Sequence, residues 1–185
     1  MKKKILLGLL VAVLLAAGLA GGAYAAIHEP VKGDKLIGFG SQGAVSPTLH
    51  DSSVFFFTNP DCVNNIVIER VSIVRGNGTV VYEGPYLQIL PDGTREPRPV
   101  LKPHMQFKIE LWNWMPDGSG GWLSEEQARE VPIAGYTVEI EWNAKGETLP
   151  PMGYGQRTQI TIIPGQPANT TAHYIPMENM RQEAK

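Results

Sequence analysis

Cysteine is nearly absent: Cys62 is the only one in 185 residues. No intramolecular disulfide can form. With no second cysteine, and no histidine close behind this one, redox dithiol and c-type haem motifs are excluded. Charge is sparse too, at 18% Asp, Glu, Lys and Arg, and no block of basic residues follows Lys2, Lys3 and Lys4. That removes the electrostatic footprint of a nucleic-acid binder. His28, His50, His104 and His173 are scattered, without H-x-H, H-E-x-x-H or paired-cysteine spacing, so no zinc motif is present. A blue-copper loop needs Cys, His and Met close together, whereas Cys62 is followed by Val63-Asn64-Asn65-Ile66. No G-x-S-x-G elbow surrounds any serine. No cofactor or metal is implied. Helical periodicity is nearly missing as well.

What is present begins at the N-terminus. Lys2–Lys4 precede an apolar run from Ile5 to Ala20, then Gly21, Gly22 and Ala23-Tyr24-Ala25. A charged n-region, an apolar h-region and an A-x-A site are the three parts of a secretory signal peptide. Residues 1–25 are therefore read as a hydrophobic signal helix, cleaved after Ala25, and the chain as exported to the periplasm or outside the cell. The alternative is an uncleaved anchor, since Ile5–Ala26 is long enough to span a bilayer. The membrane enters only in that case. Formal net charge is −2, and becomes −5 once the three signal lysines are gone. Mild acidity of this kind speaks for solubility. The remaining chain is long enough for one domain with a core of its own.

Short β-rich runs separated by Gly, Pro and Asn recur throughout: 52–59, 65–75, 79–83, 86–90, 106–112, 136–143 and 158–163, with 36–39 and 172–175 as further candidates. Seven or more such runs predict an all-β, single antiparallel sandwich. In 136–143, Tyr136, Val138, Ile140 and Trp142 alternate with Thr137, Glu139, Glu141 and Asn143, giving one buried and one wet face. In 65–75 the apolar phase changes between Ile66/Ile68 and Val71/Ile73, and a bulge near Glu69-Arg70 would put both pairs in the core. Gly76-Asn77-Gly78 suits a tight hairpin. Ser124-Glu125-Glu126-Gln127 is a capping box opening a helix of two turns at most before Val131-Pro132. Residues 26–50 read as an N-terminal arm or first strand, 51–175 as the sandwich, and 176–185 as a polar tail.

Phe57-Thr58-Asn59-Pro60 before the Ile/Val strand, the Gly-Asn-Gly turn, the Val80-Val81-Tyr82 strand, Leu101-Lys102-Pro103 and Val138–Trp142 together form a pattern over about residues 50–165. It resembles small exported immunoglobulin-like domains, including bacterial families of unassigned function. The resemblance implies the immunoglobulin-like form of the sandwich and carries no activity across.

Three constellations are candidates for chemistry. Trp112 and Trp114 fall on the polar parity of their strand, opposite Phe107, Ile109 and Leu111, with Trp122 close behind. Exposed, they would form a platform for a sugar or a partner. The favoured alternative is that the strand ends near Asn113, ahead of Met115-Pro116, and turns Trp112 and Trp114 back over the core rim. Glu139 and Glu141 share one strand face about 7 Å apart by the strand rise, a spacing compatible with a glycosidase pair. Alternating glutamates on a wet face are, however, the ordinary means of keeping a sheet soluble. Cys62, after Asn59-Pro60-Asp61, is expected to be shielded as a small hydrophobe, the alternative being a free thiol open to an intermolecular bond. Together these readings describe a non-catalytic binding or structural module of the cell envelope or surface, acting on an unidentified protein or surface glycan. A carbohydrate-binding module using Trp112, Trp114 and Trp122 is the alternative, and a hydrolase using Glu139 and Glu141 comes third.

Overall fold

The computed structural model describes residues 31–180. Residues 1–30, which include the segment read as a signal peptide and its expected cleavage site, and the last five residues lie outside the described residues. Two antiparallel sheets pack face to face. The first consists of β12 (Glu178–Met180), β1 (Val31–Ser46), β9 (Ala134–Thr148) and β3 (Ile66–Arg75), in that order. Along the far side of β3 run β4 (Val80–Gly84) and the short β7 (Val100–Leu101). The second is β11 (Asn169–Pro176), β10 (Met152–Thr161), β2 (Leu49–Thr58) and β8 (Gln106–Glu110). A separate hairpin, β5 (Leu87–Ile89) with β6 (Arg95–Pro97), follows β4.

β1 joins the layers. Residues 33–42 pair with β9, and residues 43–46 pair with β2 in the other sheet. The crossing falls at Gly43, where φ is +125° and a Cβ would lie 2.5 Å from the Val131 carbonyl oxygen. Only glycine satisfies both conditions. The chain changes layers again between β11 and β12, where Met177 is buried. Of the two readings of 26–50, arm or first strand, the strand is what forms, sixteen residues long at the centre of its sheet; the segment from 176, expected to be a polar tail, is pinned by Met177 and β12 as far as residue 180.

The alternation in β9 is realised: Tyr136, Val138, Ile140 and Trp142 are buried. The register of β3 on β9 shifts between Ile68 and Arg70, leaving Glu69 as the extra residue. Ile66, Ile68, Val71 and Ile73 are consequently all buried, as the phase change predicts. The Arg75–Thr79 turn closes the β3–β4 hairpin, with Gly78 at φ +86° and the Asn77 carboxamide oxygen accepting from Thr79 N–H. The short helix α1 (Glu125–Glu130) has both capping-box bonds: Gln127 N–H donates to Ser124 Oγ, and Ser124 N–H donates to Gln127 Oε1. Buried Gln42 donates to the Ala128 carbonyl at 3.2 Å, and the His50 ring nitrogen Nδ1 lies 3.1 Å from the Arg129 carbonyl. These contacts meet acceptors that a helix end leaves open.

Candidate binding surfaces

The tryptophans sit at the end of β8. That strand stops at Glu110, two residues sooner than the pattern suggests, and Leu111–Trp114 form a single 3-10 turn. The tighter rise rotates Trp114 inward, to 1% exposure, while Trp112 remains half-buried. Trp114 meets Tyr82 edge-on at 4.8 Å and Tyr86 at 5.6 Å. Tyr86 stacks on Phe107 with centroids 4.2 Å apart. Trp122, half-buried, leans on Tyr82 at 5.8 Å, and the Arg95 guanidinium carbon lies 4.1 Å from its ring centroid. The three tryptophans thus form no coplanar exposed row: one is core, one is rim, and one is a seat for an arginine. Asp117–Gly121 has a local structural role, with Asp117 Oδ1 accepting from Ser119 and Gly121 N–H at 2.8 and 2.9 Å.

Glu139 and Glu141 do share the outer face of the first sheet, where both are engaged by cations. Lys35 Nζ lies 3.2 Å from Glu139 and 3.0 Å from Glu141, and Arg70 holds Glu141 through Nε at 3.0 Å and Nη2 at 2.6 Å, with Glu83 on its other side. The Arg70 guanidinium, with Lys35 behind it, keeps the Glu141 carboxyl below its usual range. A general acid needs the opposite shift. The arrangement is a charge ladder across a solvated sheet face.

Cys62 is exposed, which corrects the expectation that it is shielded. The inward place in this turn belongs to Asp61. Its Oδ1 accepts from Val63 and Asn64 N–H at 2.7 and 2.8 Å, and Oδ2 accepts from the Thr148 hydroxyl at 2.7 Å and Leu149 N–H at 3.3 Å. Asn59, also buried, donates to the Asn64 and Leu101 carbonyls. The turn needs buried acceptors for its own N–H groups, which a thiol would meet poorly. The sulfur is left outside beside Val63, itself 81% exposed.

A surface that sequence reasoning missed lies on the outer face of the second sheet. Phe55 and Phe57 point into the core, so Phe56 points out, and its register partners Tyr154 and Lys108 share that face. Phe56 stacks on Tyr154 at 5.0 Å, and Tyr154 meets Tyr174 at 5.9 Å. Met152 and Tyr174 are 56% and 67% exposed. The row ends at β11, whose eight residues are all exposed and whose second edge is unpaired among the described residues. Glu83 on β4, Lys108 and Glu110 on β8 and Glu178 on β12 put charge on other outer strands. β11, Asn-Thr-Thr-Ala-His-Tyr-Ile-Pro, contains no Lys, Arg, Asp or Glu. The signal for this row was the alternation of Met152, Tyr154 and Gln156, obscured by the glycines between them.

Comparison with protein-family models, curated proteins and solved structures finds no match in any of the three.

Proposed function

We propose that this chain is an exported, non-catalytic, immunoglobulin-like binding module of the cell envelope or surface, which takes an extended segment of a protein partner along β11. The observation carrying this reading is the uncharged, eight-residue open edge of β11 flanked by the Phe56–Tyr154–Tyr174 row. An edge strand offers a line of free N–H and C=O groups, and natural sheets normally guard it with charge. Strand addition draws affinity from those main-chain groups and specificity from side chains on the adjoining face. The aromatic row supplies such side chains.

The test compares capture by the wild-type protein with capture by a variant carrying Ala172→Lys and Tyr174→Lys, which adds the missing guard. A partner retained by the wild type should be lost by the variant and should slow amide exchange across 169–176. A partner that binds both proteins equally, or protects amides elsewhere, refutes the edge as the site.

A further inference from the structure

Which backbone groups β11 turns outward follows from both sides of its sheet. In an antiparallel ladder, a residue that exchanges both backbone bonds with its partner alternates with one whose N–H and C=O point the other way. Met177 N–H donates to the Gly153 carbonyl at 3.0 Å, one step beyond the Tyr154–Pro176 pair. Counted back along β11, Ile175, His173 and Thr171 face β10, and Tyr174, Ala172 and Thr170 face away. Lys108 gives the same phase from the opposite edge. Its N–H donates to the Tyr86 hydroxyl oxygen at 3.3 Å, and the Tyr86 hydroxyl donates to its carbonyl at 3.0 Å, so both groups point away from β2. Carried through the registers of β8 on β2, β2 on β10 and β10 on β11, that alternation again leaves Thr170, Ala172 and Tyr174 outermost. Tyr86 thus covers the centre of the β8 edge, whereas no strand among the described residues pairs with the far side of β11.

The three free N–H groups lie symmetrically about Ala172. A second copy set antiparallel, with a two-fold axis at Ala172, places Ala172 opposite its own copy and each Thr170 opposite the other chain's Tyr174. All three N–H groups of each chain then meet carbonyls. The smallest side chain of the strand lies on the axis, and each tyrosine ring faces a threonine. Pro176, which has no N–H to give, falls beyond the last bonded pair. Near a two-fold axis a charged residue meets its like, and like charges opposite one another destabilise a strand pair. β11 has no charged residue to do so. An edge made for a foreign segment is under no such constraint and can carry charges complementary to it.

We propose that the strand taken up by β11 is β11 of a second copy of this chain, paired about a two-fold axis at Ala172, an inference that rests on the open edge being the binding site. The two sheets then run as one, β8-β2-β10-β11 followed by the same four strands in reverse.

The experiment follows sedimentation and residue-resolved amide exchange of the purified protein, expressed from the full chain, as its concentration is raised. Reductant is present so that exposed Cys62 cannot link chains. Dimer should appear with concentration. Exchange should slow with it at Thr170, Ala172 and Tyr174, and change little at Thr171, His173 and Ile175, whose N–H groups already bond β10. Ala172→Lys and Ala172→Glu should each weaken association by about 10-fold to 100-fold, because like charges meet at the axis. An equimolar mixture of the two should restore it, since the mixed pair brings Lys to Glu. If either variant fails to fold, the exchange pattern of the wild type decides alone. A wild type that is still a single chain at about 1 mM, or a dimer that both single variants leave intact, overturns the second copy as the occupant. If a captured partner nevertheless slows exchange across 169–176, the edge stands and its occupant is foreign. If neither concentration nor the captured partner slows those amides, both readings fall. A mixture that associates no better than the single variants overturns the axis at Ala172.

Discussion

Gly38→Ala tests how the two layers meet. Gly38 pairs with Val138 of β9, and a Cβ on it would lie 2.8 Å from Cδ1 and Cε1 of Phe55 and 2.9 Å from Cε of Met177. Carbon pairs settle at about 3.5–4.0 Å, so the ring must retreat by more than half an ångström. It has little room, because Cβ positions at Gly40 and Gly155 come within 2.8 and 3.1 Å of the same ring, and Phe55 is fully buried. Overpacking of this kind costs ~1–3 kcal/mol. Reduced freedom of the unfolded chain returns ~0.4–1 kcal/mol. The net expectation is a loss of roughly 1–2 kcal/mol, or a melting temperature lower by about 2–8 °C for a domain of this size. Gly135→Ala is the control, since the nearest atom to its Cβ, the Gly40 carbonyl oxygen, is 3.9 Å away. That variant should be neutral or slightly stabilised. Urea melts of both, and of Gly38→Ala combined with Phe55→Leu, complete the measurement. The smaller side chain should make the double variant more stable than the sum of the singles by at least ~0.5 kcal/mol. Equal stability of Gly38→Ala and Gly135→Ala, or strict additivity in the double variant, would refute the reasoning.

Asp61 should govern part of the acid limb. The N–H donors of Asn64 and Val63, then the Thr148 hydroxyl and Leu149 N–H, hold its carboxyl well below the carboxylate range despite the opposing effect of burial. A depressed folded-state value means stabilisation that is fully present above the unfolded value of about 3.9 and is lost as pH falls below it. Asp61→Asn should therefore be less stable at neutral pH and flatter between pH ~5 and ~2 in denaturant melts; parallel pH profiles for the two proteins would contradict this. Trp114→Ala and Trp142→Ala should each lose ~3–5 kcal/mol as buried rings. The half-buried Trp112→Ala should lose under ~2 kcal/mol. Thermal melts that rank Trp112 with the other two would show its ring to be core.

The parts of the fold that were legible in the sequence are those where one local pattern decides. Tyr136–Trp142 alternates without interruption, and Ser124/Gln127 needs only its own backbone. The Glu69 bulge could be read because burying both Ile66/Ile68 and Val71/Ile73 admits few other solutions. β1 and the first half of β10 were hidden by Gly38, Gly40, Gly153 and Gly155, residues that lower strand propensity and remove the side chains that would reveal an alternation. Those glycines are required from the opposite direction: Cβ positions on three of them meet Phe55, and one on Gly153 would lie 2.8 Å from the Met177 sulfur. A Gly-x-Gly spacing in a candidate strand is thus better taken as the mark of a close sheet-to-sheet approach than as a loop signal.

The candidate sites were less legible, for a related reason. Trp122 could be singled out from its type, but its contact with Arg95 could not, because it joins the β5–β6 hairpin to the loop that follows the 3-10 turn, over Tyr82 and Trp114. Phe56, Tyr154 and Tyr174 each stand alone on a strand, and no window along the chain contains two of them. Their row exists only through the registers of β2 on β10 and β10 on β11, which place Tyr154 opposite Phe56 and Tyr174 two residues from Tyr154's own partner, Pro176. Cys62 shows the reverse case, a residue whose type suggested burial and whose neighbour took the buried place. Three N–H groups and a hydroxyl converge there, and the carboxylate of Asp61 can accept from all four. Where a turn must be buried, the acceptor count decides which side chain turns inward, ahead of hydrophobicity.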